Sequence, residues 1–158
     1  MGGREKVCEI YCRTEKEGEV ERLHSFAAAH EISVEYFPLK RAQSLSMPVR
    51  PGYAVAIDPE RLESSADEYC KLAHEIGHCQ TEAFYNRHTP FDVTQKHENT
   101  ADKWAIEHTI TADELDDAIA EGCGEYWQLA ERFGVTTEFV RKAVCWYTYG
   151  NLAAEQFL

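Results

Sequence analysis

The most constraining feature of this chain is a pair of histidines one helical turn apart, in the motif His-Glu-Ile-Gly-His at positions 74–78. Side chains four residues apart on a helix have Cβ atoms roughly 5–6 Å apart, so His74 and His78 can reach one metal ion. Zn²⁺ accepts histidine nitrogen at about 2.0–2.1 Å. Glu75 can reach a water molecule on that metal, which is where a metallohydrolase keeps its general base.

The motif lies in a predicted helix from Ser65 to Gln80. Ser65 followed by Glu68 fits a capping box, and the apolar residues of one face repeat with helical period: Tyr69, Leu72, Ile76 and Cys79. The histidines lie on another side of this helix. Gly77 costs about 1 kcal/mol relative to alanine in a helix interior, which predicts that another backbone passes close to it. The alternative is two solvated or core histidines on an amphipathic helix.

A catalytic zinc site usually has three protein ligands and one water position, and Glu98 is the candidate third ligand. It shares one face of a second predicted helix with Ala101, Asp102 and Ala105. The alanines allow close packing on the first helix, and Asp102 could accept the free N–H of a liganding histidine. Two alternatives remain: Glu98 as a solvated first-turn residue that favours the helix dipole, and His97 as the ligand, about 100° away around the helix.

These two segments resemble a known family. The motif at 74–78, with Glu-x-x-Ala-Asp-x-Trp-Ala following at 98–105, resembles the ImmA/IrrE metallo-endopeptidases, particularly the short prophage and mobile-element members. The resemblance runs from about residue 53 to the C-terminus and is strongest between 65 and 106. It implies a zincin-like peptidase fold and a Zn²⁺ cofactor. The implied site residues are the gluzincin-type zinc ligands His74, His78 and Glu98, and the catalytic base Glu75.

The resemblance also implies a protein substrate. Family members encoded beside a helix-turn-helix repressor cleave or inactivate it, and so release a mobile element or a stress response. A net charge of −12 favours a basic partner, such as a DNA-binding repressor. The alternative function is a non-cleaving repressor-binding anti-repressor, or a toxin–antitoxin component, with a structural or vestigial zinc site. Glu75 argues mildly against it, since a structural site needs no base.

Composition predicts a cytoplasmic protein with no membrane partner. At 158 residues and 44% apolar composition, the chain fits one domain, or one domain with a small appendage. No stretch approaches the 18 or so apolar residues of a membrane span, and no secretory signal is visible. The six cysteines lack zinc-ribbon spacing and are expected to be reduced thiols.

The remaining pattern predicts an α+β fold. It indicates a helix at 19–30, a strand at 32–39, a polar loop at 40–51 and a strand at 52–58. Tyr53, Val55 and Ile57 share one face of that second strand, which could present an exposed edge to an extended substrate or be a central core strand. Residues 84–95 are predicted as loop. There Tyr85 and His88 could stabilise an oxyanion, or be packing and surface residues.

The last third predicts a helical cap. Thr111 or Asp113 caps a helix to residue 119. Residues 126–144 then match a helix-turn-helix at its small residue, turn glycine and packed aliphatic, which are Ala130, Gly134 and Val140. From Asp113 onward nine acidic residues outnumber three basic ones. This charge argues against direct nucleic-acid binding, and so against a third possibility, a zinc-dependent DNA-binding regulator.

The predicted organisation has three parts. Residues 1–50 form an N-terminal helix–strand segment whose role is open. Residues 51–110 form a zincin-like core of a small sheet, an active-site helix and a ligand helix. Residues 111–158 form the helix-turn-helix-like cap, packed on the core as one unit or docking a partner protein.

Overall fold

The computed structural model describes residues 18–153, which form an α+β fold, as predicted. The described part of the first helix, α1, covers residues 18–29. Three strands follow: β1 (Ile32–Tyr36), β2 (Ser44–Pro48) and β3 (Tyr53–Ile57). After a 3-10 turn at Pro59–Arg61, the helices are α2 (Ser65–Thr81), α3 (Phe91–Thr109), α4 (Ala112–Ala120), α5 (Tyr126–Phe133) and α6 (Thr137–Tyr149).

The three strands form one sheet in the order β1-β3-β2. β3 pairs in parallel with β1, where Ile32 lies opposite Tyr53, and antiparallel with β2, where Ser44 lies opposite Ile57. Both backbone edges of β3 are therefore occupied. The prediction that Tyr53, Val55 and Ile57 lie on an exposed substrate-binding edge is wrong, and the alternative of a central core strand is correct.

The strand β2 lies in a segment that was predicted to be a loop. Its sequence, Ser-Leu-Ser-Met-Pro, contains no β-branched or aromatic residue, so its intrinsic strand propensity is low. Pairing with β3 supplies the backbone hydrogen bonds that stabilise it. Ser44 and Ile57 are direct neighbours across this pair and so point to the same face of the sheet.

Helix α2 packs its predicted apolar stripe against that sheet. Its stripe residues are at most 5% exposed and share one core with Val55 and Ile57: Tyr69, Leu72, Ile76 and Cys79. The predicted Ser65–Glu68 capping box is wrong by one residue, because Ser64 is the N-cap and its hydroxyl accepts from the Asp67 N–H at 3.1 Å.

Helix α3 begins earlier than predicted. It starts at Phe91, directly after Pro90, which shortens the predicted loop at 84–95. Proline is well suited to a helix start because it has no N–H to leave unpaired. Glu98 therefore lies about two turns into the helix, not in its first turn.

Helices α2 and α3 meet almost backbone to backbone. A Cβ placed on Gly77 would lie 2.6 Å from the carbonyl oxygen of Ala101. Ala101 and Ala105 are fully buried in this contact region. The predicted reason for Gly77, the close passage of another backbone, is confirmed.

The three C-terminal helices continue from α3. Thr111 caps α4 in a capping box with Glu114. Gly134, in the left-handed region at φ 66°, ends α5 and begins the short connection to α6. The predicted packing residues Ala130 and Val140 are buried. The equivalence of this helix pair to a helix-turn-helix stays a prediction.

The sheet connects two of the predicted parts of the chain. β1 and β2 come from the first fifty residues and β3 from the predicted core. The division at 1–50, 51–110 and 111–158 stays a prediction, and its ends at 1–17 and 154–158 lie outside the described residues. No helix within residues 18–153 combines the length and apolar character needed to cross a bilayer.

Gly77→Ala tests the helix contact. The added methyl group meets a backbone carbonyl that cannot rotate away, so we expect a loss of about 1–3 kcal/mol in the free energy of unfolding, measured by urea denaturation. Gly124→Ala is the matched control, because a Cβ there meets nothing within 4 Å. Equal stability of the two variants would contradict the close approach.

Candidate metal centre

Three side chains from two helices converge on one point. His74 and His78 project from α2, and Glu98 projects from α3. The two Nε2 atoms lie 3.1 Å apart. Glu98 places Oε2 3.3 Å from Nε2 of His74 and Oε1 3.2 Å from Nε2 of His78. This is the predicted trio, and it is the metal-ligand cluster found among the described residues.

The partners of the two imidazoles determine which nitrogens face the cluster. Nδ1 of His74 lies 2.7 Å from Oδ1 of Asp102, and Nδ1 of His78 lies 2.7 Å from the carbonyl oxygen of Ala83. Each partner is an acceptor, so each Nδ1 carries the donated hydrogen. In the neutral imidazoles both Nε2 atoms therefore direct lone pairs at each other and at the Glu98 carboxylate.

This donor set fits a divalent cation in chemistry and in size. Lone pairs and a carboxylate facing one another at close range repel unless a positive charge lies between them. In a tetrahedral zinc site with bonds of about 2.05 Å, ligand atoms lie roughly 3.3 Å apart. The two Nε2 atoms are 3.1 Å apart, and each lies 3.2 or 3.3 Å from a different oxygen of Glu98, which is close to that spacing. Two histidines and one carboxylate leave a fourth position for water.

The electrostatics of the side chains reflect the same crowding. Burial lowers the pKa of His74, but hydrogen bonds to Asp102 and Glu98 outweigh burial and raise that pKa to about 10. Burial raises the pKa of Glu98, but the neighbouring side chains of His74, His78 and Tyr85 outweigh burial and hold that pKa far below its usual value. These opposite shifts have one cause: the imidazoles and the carboxylate lie so close together that a positive charge among them is favoured.

Glu75 lies beside the cluster and is held by the sheet. It is buried, at 6% exposure, and its Oε1 accepts a hydrogen bond of 2.7 Å from the Ser44 hydroxyl. Its negative charge contributes to raising the pKa of both His74 and Tyr85. Glu75 is thus adjacent to the metal ligands without being one of them, with one carboxylate oxygen fixed by β2.

Tyr85 is brought to the site, but His88 is not. The Tyr85 ring centroid lies 6.0 Å from that of His78. Burial and the neighbouring Glu98 carboxylate raise the pKa of Tyr85 well above its usual range. His88 instead accepts from Arg87 in an exposed turn.

Four further predicted residues take no part in the cluster: His97 and the three predicted residues of β3. The competing ligand His97 is absent from the group of converging side chains in the described region. Val55 and Ile57 are fully buried in the core. The Tyr53 ring instead stacks on Phe84 at 5.7 Å.

Three contacts of the site were not anticipated. Ser44 binds Glu75, the Ala83 carbonyl orients His78, and Lys142 donates to Oδ2 of Asp102 at 2.9 Å. A carbonyl carries no side-chain signal in the sequence. Ser44 and Lys142 lie 31 and 40 residues from their partners, beyond the range of any helical or strand periodicity.

A match to a protein-family model assigns this chain to a family. A comparison with curated proteins gave no match. The model of the IrrE N-terminal-like domain (Peptidase_M78) matches residues 26–144, a range that contains all three strands, both ligand-bearing helices and most of the C-terminal helices. The metallopeptidase-type resemblance drawn from the sequence is thereby confirmed, and the chain belongs to the IrrE N-terminal-like family.

Proposed function

We propose that this chain is a zinc-dependent endopeptidase that hydrolyses a peptide bond in a regulatory protein, namely a helix-turn-helix repressor of a prophage or mobile element. The observation that carries the proposal is the convergence of His74, His78 and Glu98, with the two Nε2 atoms 3.1 Å apart and each within 3.3 Å of a Glu98 oxygen, and with Glu75 beside them. Membership of a peptidase family supports the reaction class.

Each residue then has a distinct chemical role. His74, His78 and Glu98 hold Zn²⁺, which when bound polarises the scissile carbonyl and lowers the pKa of water. Glu75 accepts the proton of the attacking water and delivers it to the leaving amine. Ser44 keeps one oxygen of Glu75 engaged, so the other is directed to the reacting water. Tyr85 is a candidate for stabilising the developing oxyanion, since its ring lies edge-on to that of His78 and Glu98 is among the groups that raise its pKa.

The exposed edge of β2 suits an extended substrate better than β3 does. β2 pairs with β3 on one side only within the described sheet, and its residue Ser44 touches the catalytic glutamate. A peptide strand added to this edge would pass the metal ligands. The net charge of −12 favours a basic substrate, as a DNA-binding protein is.

The proposed setting is the cytoplasm, where thiols stay reduced. None of the four described cysteines (Cys70, Cys79, Cys123 and Cys145) is in a disulfide, and burial raises the pKa of Cys70 to about 11 and that of Cys79 to about 12. Both thiols are therefore protonated and unreactive at neutral pH. Cys8 and Cys12 lie outside the described residues.

Metal binding distinguishes Glu98 from its neighbour. Glu98→Ala removes one of three ligands, so we expect zinc affinity to fall by more than about 100-fold, measured by competition with a chromogenic chelator. His97→Ala, one residue away and outside the cluster, should bind zinc as the wild type does. Full zinc occupancy in Glu98→Ala, or loss of zinc in His97→Ala, would contradict the assigned ligand set.

A cleavage assay tests the role of Glu75 as the general base. Glu75→Gln keeps the size and the metal ligands but cannot accept a proton, so we expect zinc binding to persist and cleavage to slow by about 100- to 10,000-fold. The assay follows fragments of a helix-turn-helix repressor from the same genetic element on a gel. Glu68→Gln, on the same helix but bonded to Tyr36, is the control. Repressor inactivation without fragments, unaffected by Glu75→Gln, would favour a non-cleaving anti-repressor instead.

A further inference from the structure

One carboxylate joins the metal ligands to the C-terminal helix. Asp102, on α3, accepts from Nδ1 of His74 through Oδ1 at 2.7 Å and from Nζ of Lys142 through Oδ2 at 2.9 Å. The side chains of Asp102 and Lys142 are 14% and 26% exposed. The three helices α2, α3 and α6 are thus connected through a single, mostly buried side chain.

The position of Lys142 depends on how α6 packs along α3. Two further contacts of α6 lie along the same helix pair: Trp146 donates to Glu107 at 3.2 Å, and Tyr147 donates to the Ile110 carbonyl at 2.6 Å. Val140 and Ala143, on either side of Lys142 in the sequence, are fully buried. The ammonium group therefore reaches Asp102 only while α6 is docked.

Both oxygens of Asp102 are used, so its two partners constrain one another. A carboxylate that accepts from two donors is restricted in its orientation by both of them. Charge-assisted hydrogen bonds of this kind are strong when partly buried. Another partner of Lys142, Glu138, is farther away at 3.7 Å, and its side chain is 75% exposed. Solvent screens that pair, so it competes little with Asp102.

We propose that Lys142 is a positioning residue that couples the docking of α6 to occupancy of the metal site. The inference rests on the proposed zinc site. A metal ion on Nε2 would hold the imidazole of His74 in one orientation. Through its Nδ1 hydrogen bond, that imidazole would hold the Asp102 carboxylate in place. Lys142 then has a stationary acceptor, so metal binding stabilises α6 on α3. By thermodynamic reciprocity, docked α6 favours the metal-binding arrangement of His74.

Hydrogen–deuterium exchange of the full chain, with and without zinc, measures this coupling. In the wild type we expect zinc to slow amide exchange in α2 and α3, and to slow exchange in α6 by about 5- to 10-fold. Lys142→Met should keep the zinc effect in α2 and α3 and lose it in α6. Lys142→Arg, which retains a donor, should restore it in part.

Arg141→Met is the matched control. Arg141 is the adjacent cation on α6, but its guanidinium lies over the Tyr126 ring at 5.7 Å from the centroid. Its removal deletes the same charge from the same helix without touching Asp102, so the zinc effect on α6 should persist. A metal-free thermal melt of each variant separates loss of coupling from general destabilisation, and Lys142→Gln replaces Lys142→Met if the latter does not fold.

The outcomes separate this inference from the proposed function. If zinc changes exchange nowhere, the metal site itself fails and the coupling fails with it. If zinc protects α2 and α3 but leaves α6 of the wild type unchanged, the metal site stands and the coupling is overturned. If zinc still slows amide exchange in α6 of Lys142→Met as much as in the wild type, the coupling is also overturned.

Discussion

The contact between Gly77 of α2 and Ala101 of α3 is the constraint on which the rest of the site depends. With a Cβ at Gly77 only 2.6 Å from a carbonyl oxygen, the two helices have no room for a larger residue there. This approach places Glu98, three residues before Ala101, against both histidines. A separation larger by an ångström or so would leave the carboxylate beyond the reach of a shared ion, whose bonds are only about 2 Å long.

Hydrogen bonds made away from the metal position then orient the ligands. Asp102 and the Ala83 carbonyl each fix an Nδ1 hydrogen, which leaves both Nε2 lone pairs directed inward. Such outer partners commonly affect metal affinity as well as ring orientation. The negative charges of Glu75, Glu98 and Asp102 lie around this point, and a divalent cation together with the ammonium of Lys142 would balance them.

The sequence was sufficient for those parts of the site that depend on local spacing. The histidine pair follows from four-residue spacing on one helix, and the choice of Glu98 over His97 followed from the alanines that share its face. The packing role of Gly77 followed from the free-energy cost of a glycine in a helix interior. Each of these inferences uses residues within one turn or two of each other.

Long-range pairing was not predictable in the same way. β2 has few strand-forming residues and exists because β3 pairs with it, so the Ser44–Glu75 contact was missed and β3 was wrongly considered as an edge. The cap of α2 differed by one residue because two adjacent serines, Ser64 and Ser65, can each serve. Lys142 reaches Asp102 only through the docking of α6, which no periodicity in the sequence specifies.

The most direct test of the central claim is a crystal structure of the zinc-loaded chain with anomalous diffraction measured at the zinc edge. The account predicts one anomalous peak within about 2.0–2.2 Å of Nε2 of His74, Nε2 of His78 and a carboxylate oxygen of Glu98, with a fourth direction open to water. A peak held by other residues, or these three side chains turned away from any common ion, would contradict it.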